Sequence, residues 1–121
     1  MSKKILVIDD DVDLNYSVTE LLKDLGYAVD SITDPRGIGQ ALGNGGYETV
    51  LLDLKMPSVS GTDFIPVIKE KLPRTRLVVM SGRPSIPEFL AQKGLSRYVD
   101  GILDKPFGVS DLLQQIELPV E

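Results

Sequence analysis

Acidic side chains follow two short apolar segments of this chain, in positions from which they could do chemistry. Asp9 and Asp10 come after the run 5–8, and Asp53 ends the run 49–53. Both runs are rich in residues that favour strands and are bounded by turn formers, so they predict strands buried on both faces. Ligands of an open parallel sheet bind beyond the carboxyl ends of its strands. Alone, such an Asp is more often a loop residue that bonds its own backbone, so the remaining strand ends must decide.

Two further apolar runs end next to polar residues of other types. Ser81 follows the run 76–80, and Lys105 comes shortly after the run 101–103. The carboxyl ends of parallel strands share one edge, so these side chains should meet the acids there. Two carboxylates about 4 Å apart repel by roughly 4 kcal/mol at an effective dielectric of about 20, and one lysine does not neutralise three acids. We therefore predict a bound cation, and oxygen ligands that leave positions for water and phosphate oxygens favour Mg²⁺.

The composition limits the chemistry of this chain. Its 121 residues suffice for one core, and we expect one domain over residues 1–121. Because cysteine and histidine are absent, the chain has no disulfide, thiolate nucleophile, imidazole base or phosphohistidine of its own. The net charge of -5 argues against direct nucleic-acid binding, which depends on Lys and Arg to neutralise phosphates. No apolar segment has secretory or membrane-spanning length, which predicts a cytoplasmic protein without a membrane contact.

Helical periodicity alternates with these strand runs, and 28–32 predicts one more strand. The helix candidates begin near capping residues or proline and mostly end near glycine, which is the usual asymmetry. Glycines inside the second candidate each cost up to about 1 kcal/mol relative to alanine, so that helix should be weak. The predicted helices are 12–25 closed by Gly26, a short one after Asp34 and Pro35 that ends by 43–46, one reaching about Leu72, a short one closed by Gly94, and 109–118 before Pro119.

Two segments resemble capping boxes, in which a Ser side chain and an acid three residues later cap a helix. Ser60 with Asp63 would open the third helix, and Ser85 with Glu88 would open the fourth. Pro66 removes a backbone donor early in the third helix, which predicts a kink or a late start. Strand and helix patterns thus alternate five times with short connections. This alternation predicts an α/β fold with parallel strands and helices on both faces of the sheet.

Four segments together resemble the receiver domain of a two-component response regulator. They are 5–11, 51–57 with Gly61 eight residues after Asp53, 79–82 and 105–107. The resemblance covers nearly the whole chain and implies a flavodoxin-like, doubly wound sheet of five parallel strands in the order 2-1-3-4-5, with five helices. In this family a cis proline commonly follows the site lysine, and the corresponding residue here is Pro106.

The resemblance implies phosphorelay signal transduction rather than catalysis on an outside substrate. Asp53 would accept a phosphoryl group from a histidine of a partner kinase or phosphotransfer protein, with Mg²⁺ neutralising charge. Lys105 would pair with the phosphoryl group and the Ser81 hydroxyl would hydrogen-bond it, so the domain would catalyse its own phosphorylation and dephosphorylation. The implied metal ligands are Asp10, Asp53, the backbone carbonyl of Lys55 and, partly through water, Asp9.

The resemblance also implies a switched surface, and there the sequence departs from the family. Three residues before Lys105 the family commonly has Tyr or Phe, whereas this chain has Ile102. The predicted switch residues are therefore Ser81 and Ile102, and Tyr98 is the nearest aromatic residue that could share the role. An equally good interpretation is that Tyr98 covers core while its hydroxyl stays in water. The downstream partner would be another protein or an output domain, and a homodimer is one possible assembly.

Other functions match the sequence less well. Asp9, Asp11, Asp13 and Glu20 have the spacing of an EF-hand calcium loop, but Leu14 stands where that loop needs glycine. Asp11 is more simply the N-cap of the first helix. A receiver-like module that docks without phosphorylation conflicts with the intact set of acids. A phosphohydrolase with an aspartyl nucleophile would need a second acid after the first, and room for a cap.

Overall fold

The computed structural model describes residues 3–56 and 59–117 of the chain. Its main sheet consists of β1 (Lys4–Ile8), β2 (Ala28–Ile32), β3 (Thr49–Asp53), β4 (Arg76–Ser81) and β5 (Gly101–Asp104). All neighbouring strands are parallel, and their order is β2-β1-β3-β4-β5. The α/β class and the strand order implied by the resemblance are therefore confirmed.

Five α-helices connect or follow these strands within the described ranges. They are α1 (Val12–Asp24), α2 (Ile38–Asn44), α3 (Phe64–Lys71), α4 (Ile86–Gln92) and α5 (Val109–Glu117). The predicted limits of the last helix, Leu118 and Pro119, lie outside the described residues. Short 3-10 turns precede α2, α3 and β5, and a two-residue antiparallel ladder joins Lys55–Met56 to Val59–Ser60. In the part of the chain that is described, every helix is too short or too polar to span a bilayer.

Apolar side chains cover the sheet on both faces. Because alternate residues of a strand point in opposite directions, β3 contributes to two separate clusters. Val50 and Leu52 pack with residues of α2, α3 and α4, whereas Leu51 packs with residues of α1 and α5. All three are fully buried, and each such side chain contributes about 1.5–3 kcal/mol to folding. The continuous apolar run of β3 is thus explained by cover on both of its faces.

Several of the predicted helix ends are confirmed. The carboxylate of Asp11 accepts a hydrogen bond from the Leu14 N–H at 3.1 Å, so Asp11 is the N-cap of α1. Asp34 likewise caps the turn that leads into α2. Gly26 and Gly94 have φ of +99° and +71° and follow α1 and α4, as expected of C-terminal glycines.

One of the two predicted capping boxes is wrong. Ser85 precedes α4, but its φ of +59° lies in the left-handed region and its side chain makes no capping bond to the described residues. Asp63 directly precedes α3 with helical φ and ψ and makes no capping bond there, while the side chain of Ser60 lies outside the described residues, so the box at Ser60 stays a prediction. The late start predicted from Pro66 is confirmed, because a 3-10 turn occupies the first residues of that segment.

Charged side chains tie several elements together at the amino edge of the sheet. The buried Arg76 donates from Nε to the carbonyl oxygen of Gln115 in α5 at 2.7 Å, and from Nη2 to the carbonyl oxygen of Asp100 at 3.1 Å. The Asp100 carboxylate accepts from the Leu77 N–H at 2.8 Å and pairs with Lys69 of α3 at 2.6 Å. These contacts fasten α3 and α5 to the first residues of β4 and β5.

Candidate functional site

Three carboxylates meet beyond the carboxyl ends of β1 and β3. Asp9 and Asp10 follow β1, and Asp53 is the last residue of β3. One carboxylate oxygen from each lies within 4.8 Å of the others. Asp9 and Asp53 are buried, with 1% and 4% of their surface exposed, while Asp10 is half-buried. The structure therefore brings together the acids that the strand ends were predicted to gather.

Lys105 reaches the same cluster from the segment after β5. Its Nζ lies 3.1 Å from Oδ2 of Asp9 and 3.3 Å from Oδ1 of Asp53. Its backbone N–H donates to the carbonyl oxygen of Ser81 at 2.7 Å, and its peptide bond to Pro106 is cis, as expected. One ammonium group thus contacts two of the three carboxylates, and the edge keeps a net negative charge.

Burial raises the pKa of the Asp53 carboxyl group from 3.8 to about 6. The Lys55 N–H, which donates to Oδ1 of Asp53 at 3.2 Å, opposes this rise in pKa. The neighbouring Asp9 carboxylate adds to the rise, while the Lys105 charge counteracts it. Repulsion and desolvation together therefore make the ionised form of Asp53 costly when no cation is bound.

The chemistry of the three acids fits a hard divalent cation. All of the side-chain donors are carboxylate oxygens, and they are close enough to share one ion. A small number of protein carboxylates suits Mg²⁺, which keeps several water ligands. A divalent charge at this position would also favour the ionised form of Asp53, since it offsets the repulsion from Asp9.

Ser81 ends β4, the strand next to Asp53. In the strand register Asp53 pairs with Met80, so Ser81 lies one position further along. Ser81 is buried, and its Oγ accepts a hydrogen bond from the N–H of Arg83 at 3.0 Å. The structure thus places Ser81 at the same edge as the acids, with its hydroxyl bound to the loop before α4.

Asn15 supports the site, although the sequence analysis assigned it no role. Its Nδ2 donates to the carbonyl oxygens of Asp9 at 2.9 Å and Ile32 at 3.0 Å, which fixes the backbone where β1 and β2 end. Asn15 stands three and seven residues before Val18 and Leu22, so it shares their buried face of α1. The sequence signal for this role was a polar residue at a position of the helix that faces the core.

Gly61 contacts the backbone that carries Asp53. Its N–H donates to the carbonyl oxygen of Leu54 at 3.1 Å. A Cβ at Gly61 would lie 2.6 Å from the Cα of Leu54 and closer still to the carbonyl oxygen of Asp53. Glycine is therefore required by close approach of two backbones. The resemblance pointed to this residue, and the structure supplies its physical reason.

The sequence model of the response regulator receiver domain matches residues 5–117. This chain belongs to the response regulator receiver domain family. Among curated proteins, this receiver domain is similar to the transcriptional regulatory protein BasR of Escherichia coli K12. The two are 33% identical over 113 residues, which cover 93% of this chain and 50% of BasR. The receiver domain thus spans about half the length of this relative.

Two solved structures have the same fold. A response regulator protein from Burkholderia pseudomallei, with a phosphorylated aspartic acid, calcium ion and citrate, matches with a TM-score of 0.85 and 27% identity. That match covers 96% of this chain and 67% of the other. The BeF3-activated DrrB receiver domain matches with a TM-score of 0.79 and 28% identity, over 97% of this chain and 96% of the other. The doubly wound receiver fold is thus shared with both proteins.

Ile102, predicted as a switch residue together with Ser81, lies with Tyr98 beside the larger apolar cluster, which contains Leu52. Ile102 and Tyr98 are half-buried and pack against that cluster. The Tyr98 hydroxyl accepts from Nη2 of Arg97 at 2.9 Å on the exposed surface, and the Arg97 guanidinium lies 4.8 Å from the ring. Tyr98 therefore covers core and keeps its polar end outward. Its share in a switch, like that of Ile102, stays a prediction.

Proposed function

We propose that this receiver domain accepts a phosphoryl group on Asp53 from a phosphohistidine of a partner kinase or phosphotransfer protein. An Asp53 carboxylate oxygen forms the new bond to phosphorus while the phosphorus–nitrogen bond breaks, and its electron pair returns to the imidazole. The observation that carries the proposal is the contact of Lys105 with both Asp9 and Asp53, which builds a charged site around one buried carboxylate.

The residues of this chain promote the phosphoryl transfer by placing the reacting groups close together and by neutralising charge. Lys105 is already 3.3 Å from Asp53, so its ammonium can follow a phosphoryl oxygen with little movement. The Ser81 hydroxyl donates to another phosphoryl oxygen after it turns away from the N–H of Arg83. Burial of Asp53 keeps the reacting oxygen away from bulk water, which strengthens both contacts.

Mg²⁺ would be held by the carboxylates of Asp10 and Asp53 and by the backbone carbonyl oxygen of Lys55. Asp9 would contact it partly through water. When bound, the ion neutralises charge that develops on the phosphoryl oxygens. The closeness of the three carboxylates supports this assignment. The phosphorylated aspartic acid named for the Burkholderia pseudomallei relative, and the beryllofluoride named for DrrB, support the same chemistry at Asp53.

The phosphorylated domain would act on a downstream protein or on an output domain joined to it. BasR, which is named a transcriptional regulatory protein, is about twice as long as the part that this receiver domain matches. A net charge of -5 makes the receiver domain itself a poor nucleic-acid surface. DNA binding, where it occurs, would therefore belong to another domain.

Intact-mass spectrometry tests this proposal directly. The parent protein, incubated with acetyl phosphate and Mg²⁺, should gain one phosphoryl group, and omission of Mg²⁺ should strongly reduce the gain. Asp53→Asn should abolish it, because the variant lacks the reacting oxygen. Asp104→Asn is the matched control, since Asp104 is an exposed acid at the same edge of the sheet, and it should be phosphorylated like the parent. A stable adduct on Asp53→Asn would contradict the assignment.

A further inference from the structure

The buried Ser81 hydroxyl is connected to the surface of α4 through Arg83. Its Oγ accepts from the N–H of Arg83 at 3.0 Å, so the hydroxyl and the backbone of the loop before α4 are held together. The side chain of Arg83 leaves the loop and its guanidinium lies 4.5 Å from the centre of the Phe89 ring. A cation at this distance over an aromatic face is attracted to it. The contacts therefore form one chain from Ser81 to Phe89.

Phe89 is the fixed end of this chain of contacts. It lies on α4, is half-buried and packs against the larger apolar cluster of the domain. Lys93, four residues after Phe89 and the C-cap of α4, approaches the same ring at 5.6 Å. Unlike Arg83, Lys93 lies at the opposite end of α4 from the loop that follows Ser81. A change in the ring should therefore affect both cations, but only Arg83 is linked to the site.

The loop between β4 and α4 is short, so contacts made by Arg83 affect the position of Ser81. Only residues 82–85 join the strand to the helix, and Ser85 has a left-handed φ of +59°. Left-handed backbone is unfavourable for a residue with a Cβ, so Ser85 departs from its intrinsic backbone preference. A cavity of about 570 Å³ lies beneath the loop, lined in part by Met56, Ser81 and Phe89, and provides room for the loop to move.

We propose that Phe89 is a positioning residue for Ser81, acting through Arg83. In the resting domain the ring holds Arg83, and the Arg83 N–H holds the Ser81 hydroxyl. Movement of that hydroxyl toward a phosphoryl group on Asp53 breaks the bond to Arg83, shifts the loop and separates the guanidinium from the ring. The contact favours the resting arrangement, so its loss favours the phosphorylated one. This inference rests on the proposed phosphorylation of Asp53.

The affinity for beryllofluoride in the presence of Mg²⁺ tests the inference. Phe89→Leu keeps an apolar side chain against the core but removes the ring, and should bind about two- to five-fold more tightly, which corresponds to a surface cation–π contact. Arg83→Gln removes the cation without altering the core and should give the same result. Phe89→Tyr retains the ring and Lys93→Gln removes a cation not connected to Ser81, so both should bind like the parent.

Amide chemical shifts provide a second readout that a merely stabilising contact would leave unchanged. In Arg83→Gln without beryllofluoride, which keeps the Phe89 ring, the Ser81 N–H signal should move toward its position in the beryllofluoride-bound parent. Parental affinity in both Phe89→Leu and Arg83→Gln, together with an unmoved Ser81 N–H signal in Arg83→Gln, would overturn the inference while leaving phosphorylation of Asp53 intact. Absence of beryllofluoride binding by the parent would overturn the proposed function, and this inference with it.

Discussion

The ammonium nitrogen of Lys105 lies 3.3 Å from Oδ1 of Asp53, across the edge where β3, β4 and β5 end. The same nitrogen is 3.1 Å from Asp9, so a single partly buried cation serves two buried acids. Neither acid has a second positively charged partner among the described residues. The balance of charge at this edge therefore depends on one side chain as long as no metal is bound.

Lys105→Gln should destabilise the metal-free domain. The substitution leaves the buried carboxylates of Asp9 and Asp53 without their cation, and we expect a loss of roughly 1 to 3 kcal/mol in the free energy of unfolding. Urea unfolding in EDTA at neutral pH measures this loss of stability. Lys23→Gln is the control, because it removes an exposed ion pair with Glu20, for which about 0.5 kcal/mol or less is expected. Equal effects of the two substitutions would contradict the role of Lys105.

Asp53→Asn should stabilise the metal-free domain at neutral pH. The pKa of Asp53 is raised from 3.8 to about 6 in the folded state, so the folded chain holds the proton more firmly than the unfolded chain. Ionisation therefore opposes folding. Its cost is absent below about pH 4, grows as the pH rises toward 6 and is complete above about pH 7.

The free energy of unfolding of Asp53→Asn should therefore exceed that of the parent by roughly 1 to 3 kcal/mol at about pH 7. The difference should shrink to near zero at about pH 4. Urea unfolding in EDTA across this pH range provides the measurement. Asp104→Asn controls for the loss of one negative charge at an exposed position on the same edge. A difference between Asp53→Asn and the parent that does not vary with pH would exclude titration of Asp53 as its cause.

Mg²⁺ should stabilise the folded domain. A ligand that binds only the folded state adds about 2.7 kcal/mol at a hundred times its Kd, so millimolar Mg²⁺ should raise the thermal midpoint. Asp10→Ala should abolish this response, and relief of carboxylate repulsion should make the metal-free variant more stable than the metal-free parent. Asp11→Asn is the matched control, since asparagine also caps helices and Asp11 lies outside the carboxylate cluster. A thermal midpoint of the parent that does not change with Mg²⁺ would contradict the metal site.

Gly61→Ala should destabilise the domain with or without metal. The new Cβ would overlap the backbone of Asp53 and Leu54, which cannot yield as a flexible side chain would. We expect a loss of about 1 to 3 kcal/mol in urea unfolding. Gly39→Ala in α2 is the control, because its new Cβ would meet no atom within 4 Å and alanine favours helices. We expect this substitution to raise the free energy of unfolding by up to about 1 kcal/mol. A neutral Gly61→Ala would show that these backbones separate easily.

The position of the site can be predicted from the sequence because strand direction decides it. Continuous apolar runs indicate strands covered on both faces, and parallel strands gather their carboxyl ends at one edge. That reasoning suffices to place Asp9, Asp53 and Ser81 at the same edge of the sheet. The strand order cannot be obtained in this way, because several orders satisfy the same alternation of strands and helices. It comes from the family resemblance.

Features that depend on distant partners could not be predicted. Arg76 begins an apolar run, and nothing local shows that its partners Asp100 and Gln115 lie 24 and 39 residues further along. Ser85 has the residue type and spacing of a cap, but its left-handed φ departs from the extended backbone that capping residues adopt. Local chemistry describes what a side chain can bind, whereas the fold decides which groups come within reach.

The bonds of Arg76 to Gln115 give α5 the mechanics of a lever. They hold the carboxyl half of the helix to the amino edge of the sheet, while its first residues stand on the side of Lys105. The helix extends about 9 Å from Gln115 back to Val109, so a tilt of about 5° around this pivot displaces its free end by about 0.8 Å. A small displacement near Lys105 would therefore swing α5 instead of sliding it, and the amplitude of the motion would decrease steadily along the helix toward the pivot.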